Sequence, residues 1–149
     1  MTYEPEPLLK FGEMGCAFFS FTGTPTASNP LTPAVVGSST SFSPTISGND
    51  IQLPAGEYVL RFYGAITRTD SSFDNIRYQW REVGGALLGK EGASNREVST
   101  GTYTVSLDSC DARLDLASGG SVQVEILQAD ASVVLDTANT HAVIWRVPT

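Results

Sequence analysis

At 149 residues and a formal net charge of −7, the chain is long enough for one domain that buries roughly two thirds of the surface its unfolded form exposes, without a metal or disulfide staple. Its nine Lys and Arg are scattered, which leaves no basic footprint for nucleic acid, and no run of about 18 apolar residues offers a transmembrane helix, so neither nucleic acid nor membrane is expected as a partner. Two cysteines, Cys16 and Cys110, exclude a disulfide-rich scaffold and a four-cysteine zinc site. Two buried free thiols are the expectation for them, and a single bridge is the alternative.

In chain order, residues 1–10 are polar and carry Pro5 and Pro7, which forbid a helix, so they read as an extended arm. Glu4 and Glu6 stand where a secretory signal carries basic residues, and the expectation is a chain not targeted for secretion. Residues 11–149 then read as a single β-sandwich domain. Residues 11–21 (FGEMGCAFFSF) form its first predicted strand. Residues 23–47 hold Pro25, Pro30, Pro33 and Pro44 among Thr, Ser and Asn and read as a long meander, packed through Val35, Val36, Phe42 and Ile46, with a short strand near residues 41–46.

Residues 51–68 (IQLPAGEYVLRFYGAITR) are the longest run of strand-like sequence. Tyr58, Leu60, Phe62, Gly64 and Ile66 share one parity, the period-two signature of a buried face. Val59, Tyr63 and Ala65 soften the other face, which predicts that a second layer or a second subunit covers it. Residues 75–83 (NIRYQWREV) alternate Ile76, Tyr78 and Trp80 with Arg77, Gln79 and Arg81 as a half-buried strand. After Gly84-Gly85 the sequence predicts a short strand end at 86–88 and a hydrophilic loop at 89–97. Strands follow around Tyr103, Val105 and Leu107, around Leu114 and Leu116, and over Val122, Val124 and Ile126. A very short one is predicted at 133–135. Residues 141–147 (HAVIWRV) are β-branched and aromatic and are expected at the centre of a sheet, since an open edge of that composition invites aggregation. Eight to ten short strands without helical periodicity predict an all-β sandwich or barrel.

Chemistry-bearing groups are few. The one histidine, His141, opens the last strand and reads as a surface or turn residue. Asp136 or Asp115 could complete a Ser-His-Asp set with it, but no Gly-x-Ser-x-Gly elbow is present. Asp108, Asp111 and Asp115 could approach a calcium ion, but no EF-hand loop is present and turn-forming aspartates are the simpler explanation. The expectation is a protein that is not an enzyme, with no cofactor, no metal and no catalytic residues.

The succession LPAGEYVLRFYGAI, NIRYQWREVGGALLGKEG, GTYTVSLDSCDARLDLASGGSVQVEILQ and HAVIWRV resembles the jelly-roll modules of the C1q and tumour-necrosis-factor type, as found in bacteriophage fibres and capsid decoration proteins. Pro54, Gly56 and Tyr58 match the entry to the long inner strand, Arg77, Tyr78 and Gly89 the second block, and Ala142 to Val147 the closing strand. The resemblance spans residues 50–149; the meander departs from it. It implies an antiparallel jelly-roll sandwich with an extended N-terminal arm, assembling as a homotrimer, with Val59, Arg61, Tyr63, Trp80 and Trp145 as candidate subunit contacts. It further implies a capsid decoration or cement protein of a bacteriophage virion, assembled in the host cytoplasm on the major capsid protein or another virion protein. Asp70, Phe73, Asp74, Lys90 and Arg96 are the candidate partner-binding loop residues. A fibre tip, or a receptor-binding or carbohydrate-binding module taking a surface glycan, is the alternative.

Overall fold

The computed structural model describes residues 15–68, 74–96 and 103–148, which form thirteen strands and no helix. Residues 1–14, which hold the predicted arm and the start of the first predicted strand, lie outside the described residues. Five strands build a first sheet: β1 (Gly15–Thr22), β2 (Thr32–Ser38), β5 (Gly56–Tyr63), β10 (Cys110–Leu116) and β13 (His141–Arg146), in the order β10-β5-β13-β1-β2. Five more build a second: β3 (Thr45–Ser47), β4 (Asp50–Leu53), β7 (Asp74–Glu82), β8 (Leu87–Arg96) and β11 (Gly120–Ala129), in the order β3-β4-β11-β7-β8. A small third sheet runs β12 (Val134–Leu135), β6 (Ala65–Arg68), β9 (Tyr103–Ser106). Every pairing is antiparallel.

The core follows from strand parity. Tyr58, Leu60 and Phe62 on β5 pair with Leu114, Ala112 and Cys110 on one side, and Leu60 and Phe62 pair with Ile144 and Ala142 on the other. All of them point inward and are buried. Tyr78 and Trp80 on β7 face them from the second sheet with Val122, Val124 and Ile126 of β11. Ring contacts tie the layers together: Phe21 meets Phe62 and Phe62 meets Tyr78, each edge-to-face at 5.1 Å between centroids, the arrangement that ring quadrupoles favour. The closing strand β13 lies between β5 and β1, the central place its apolar composition required.

Three expectations are corrected. Residues 51–68 are not one strand: β4, β5 and β6 divide the run and serve three different sheets. The chain changes layer at the Pro54–Ala55 turn and again at Gly64. Residues 89–97 are not a loop; β8 continues through Arg96 as a ten-residue strand paired with β7. Its Lys90-Glu91 polarity suits an edge strand, with Glu91 paired to Arg77 across the ladder. The meander carries its first strand at β2, earlier than predicted and through Pro33. Proline is tolerated there because β2 is the edge of its sheet. Leu31 and Phe42 are buried and Ile46 packs against the core, so the meander lies on the body; Val35 and Val36, expected to pack with them, are instead exposed on the edge strand β2.

The two thiols sit on opposite faces of the first sheet. Cys110 points into the core, where burial pushes it up to about 12, while Cys16 points outward and is half-buried; both are free. The expectation of two buried thiols therefore holds for Cys110 and not for Cys16. At pH 8 an aromatic disulfide reagent is expected to titrate one thiol in the native protein and two in denaturant. Two native equivalents would contradict the placement of Cys110.

Candidate functional site

Parity that sends even-numbered residues of β5 into the core sends Val59, Arg61 and Tyr63 to the outer face of the first sheet. Register then sets three rows across that face. Cys16, Trp145, Val59 and Arg113 form one, Phe18, Val143, Arg61 and Asp111 the next, and Ser20, His141 and Tyr63 the third. Val59, Arg61, Tyr63 and Trp145, four of the candidate subunit contacts, thus lie together on one surface. Trp80 does not. It is 0% exposed, and its indole N–H donates to the Cys110 carbonyl at 3.2 Å, so its side chain has no surface to offer a neighbour. That candidate is corrected to a core residue.

The polar groups at the centre of this face are matched to one another. Arg61 donates from Nε to Asp111 Oδ1 at 2.9 Å and from Nη2 to Oδ2 at 3.0 Å, a fork-to-fork pair, and its Nη1 reaches the Tyr63 hydroxyl at 3.4 Å. These hydrogen bonds, the Asp111 one first, push the guanidinium above its already high range, so it stays charged at any pH the protein meets. Both partners are about two-fifths exposed, and solvent screening leaves the pair worth well under about 1 kcal/mol to the isolated fold. Tyr63 stacks on His141 with 4.9 Å between centroids. Apolar side chains lie beside them: Val143 is nearly buried although it points outward, and Phe18 is 47% exposed because its neighbour on β2 is Gly37, which has no side chain to cover it. The sequence reading missed Phe18. Its adjacency to Phe19 was the available signal, since neighbouring strand residues point to opposite faces.

The outer face of the second sheet is different in kind. Arg77 pairs with Glu91, Arg81 with Glu125, and Gln79 Nε2 donates to the Gly89 carbonyl at 2.9 Å. Arg77 also holds the Glu91 carboxyl below its ordinary range. This ladder of cross-strand ion pairs is suited to water.

Little here can do covalent chemistry. The Asp136 carboxylate accepts from the Ala138 N–H at 3.1 Å and from Asn139 Nδ2 at 2.7 Å, shaping the turn before β13. Asp115 faces Glu57, six residues along β5 from the Tyr63 that carries His141, or about 20 Å away. Neither aspartate is brought to His141 as a catalytic partner. Among the described residues no group of three or more His, Cys, Asp or Glu could hold a metal ion, and both Asp111 oxygens belong to Arg61.

Of the candidate partner-binding residues, Asp70 and Phe73 lie outside the described residues. Asp74 and Arg96 are direct backbone partners at one end of the second sheet. Lys90 lies six residues back along β8, about 20 Å from that end, on a strand and not in a loop.

No protein-family model matches the chain, and no curated protein is similar to it in sequence. Solved structures are similar in fold. Murine APRIL at pH 8.0 matches with a TM-score of 0.62 at 13% identity, over 91% of this chain and 100% of that one. Eiger TNF from S. frugiperda matches with a TM-score of 0.59 at 17% identity, over 89% of this chain and 92% of that one. The fold is an antiparallel jelly-roll sandwich of the tumour-necrosis-factor type. The likeness covers more of the chain than residues 48–149 could supply, so it takes in much of the meander that the sequence resemblance left out.

Proposed function

We propose that this chain is a non-enzymatic structural protein of a bacteriophage virion, a capsid decoration or cement protein that joins into a homotrimer through the outer face of its first sheet. The observation that carries self-association is the contrast between the two outer faces. One is a solvated ladder of ion pairs; the other gathers Phe18, Val59, Tyr63 and Trp145 around a self-neutralised ion pair, with Arg113 beyond it at the β10 edge. An apolar, aromatic patch on a strongly acidic and otherwise polar body is the mark of a protein contact. The trimer and the virion setting rest on the jelly-roll resemblance, with the scarcity of catalytic groups in its favour. Asp74 and Arg96, at one end of the second sheet, together with Asp70, Phe73 and, farther along β8, Lys90, are the residues we propose for contact with the major capsid protein or another virion protein.

Sedimentation of the purified chain at micromolar concentration is expected to show a trimer, whose contacts would bury well over about 1,000 Å² in total. A strict monomer would count against the self-association. Immunogold labelling of phage particles tests the setting, with label expected over the shell. Label confined to a tail tip would favour a fibre role, and unlabelled particles would refute the virion assignment.

Tyr63→Asp is expected to keep the far-UV spectrum of the parent while weakening self-association at least about tenfold, since a carboxylate would be buried in the contact. Unfolding of this variant would mean that the two faces of β5 have been exchanged.

A glycan-binding reading is favoured by the partly exposed Tyr63 and Trp145 on one sheet face, aromatic rings on which a sugar ring could stack. Acrylamide quenching separates the two. Self-association protects Trp145 as protein concentration rises, whereas a glycan site stays quenchable until oligosaccharide is added.

A further inference from the structure

At the β10 edge of the first sheet, an open hollow of about 480 Å³ is lined by Val59, Gly89, Asp111, Ala112 and Arg113. Gly89, from the second sheet, brings no side chain to it, and β8 approaches the β10 backbone closely there. The hollow is poorly equipped for a small polar ligand. Asp111 is committed to Arg61, which leaves Arg113, without an ion pair among the described residues, as its one free charge. It is better equipped for an aromatic ring, with an aliphatic lining and a guanidinium at the rim to lie against the ring face. On the other side of the same face stands Phe18, the only aromatic among the large hydrophobic side chains exposed in the described residues.

We propose that Phe18 of one copy seats in the β5–β8–β10 hollow of a second copy, against Arg113. This rests on the reading that the outer face of the first sheet joins copies of the chain. Phe18 and the hollow lie on one face three strands apart, about 14 Å, so they do not meet within one chain. The contact is therefore between unlike patches. Repeated head to tail, it closes a ring in which every copy supplies one Phe18 and fills one hollow.

Two variants test this. Phe18→Ser leaves the monomer fold intact, because the ring is half in water already, and is expected to weaken association at least about tenfold with an unchanged far-UV spectrum. In a Cys16→Ser background, Phe18→Cys combined with Arg113→Cys is expected to give covalent trimers on mild oxidation, reversed by reductant. The two positions are too far apart to bridge within one chain. Covalent dimers as the end product would show two-fold pairing and overturn the ring. Absence of any cross-link, or undiminished association of Phe18→Ser, would overturn the seating of Phe18 while leaving the shared face standing. A monomeric parent protein would remove both.

Discussion

Leu60→Asp is expected to abolish folding. Leu60 is 0% exposed at the middle of β5, a strand flanked on both sides, with Ala112 and Ile144 as its cross-strand neighbours and, among the described residues, no buried cation to receive a carboxylate. Losing a buried leucine costs about 2–5 kcal/mol, and burying an unpaired charge adds several more, which together rival the whole stability of a domain this size. Val59→Asp, one residue away on the outer face, is the control. It is expected to give a folded monomer with a far-UV spectrum like that of the parent. Soluble, cooperative unfolding of Leu60→Asp would show that the inward parity of β5 has been misassigned.

Gly89→Ala is expected to lower the melting temperature by about 10 °C or more, several times the effect of Gly84→Ala. Both glycines have positive φ, +66° and +76°, where a side chain costs about 1–2 kcal/mol. They differ in surroundings. A Cβ on Gly84 meets nothing within 4 Å, whereas one on Gly89 would lie 2.0 Å from the Asp111 carbonyl oxygen and 2.7 Å from the Ala112 Cα, so that β8 must part from β10. That separation opens the corner where the two sheets meet. Thermal melts of the two variants, compared directly, check the claim; equal shifts would mean that the corner is not closed by backbone contact.

The strands that alternate cleanly could be read from the residues alone. β5, β7 and β11 each present a buried apolar face of one parity, and β13 is too apolar to be anything but central. β8 could not be read so. Its GKEGASNR stretch carries the composition of a loop, because it runs along a sheet edge where Lys90 faces water and its two glycines are there to approach β10 and the Tyr78 ring. Pro33 hid β2 for a related reason, as it is tolerated only at an edge that the sequence does not announce. Trp80 and Trp145 look alike, each an aromatic in an alternating strand. Which one is sealed depends on whether a second layer lies over its face, and that is decided by pairings of residues far apart in the chain. The same limit kept Phe18 out of the candidate site: its exposure depends on Gly37 standing beside it, two strands being needed to see it.

The position of β13 bears on how the protein is made. It fills the gap between β1 and β5, so the first sheet cannot close until residue 146 has left the ribosome and met a partner that emerged some 120 residues earlier. Until then β1 and β5 both present open edges, and Phe19, Leu60 and Phe62 lack the Ala142 and Ile144 that flank them. Non-local closure of this kind is slow and leaves the nascent chain prone to pairing with its neighbours on a polysome. Loss of the closing strand through premature termination is therefore expected to yield aggregate, and not a smaller version of the fold.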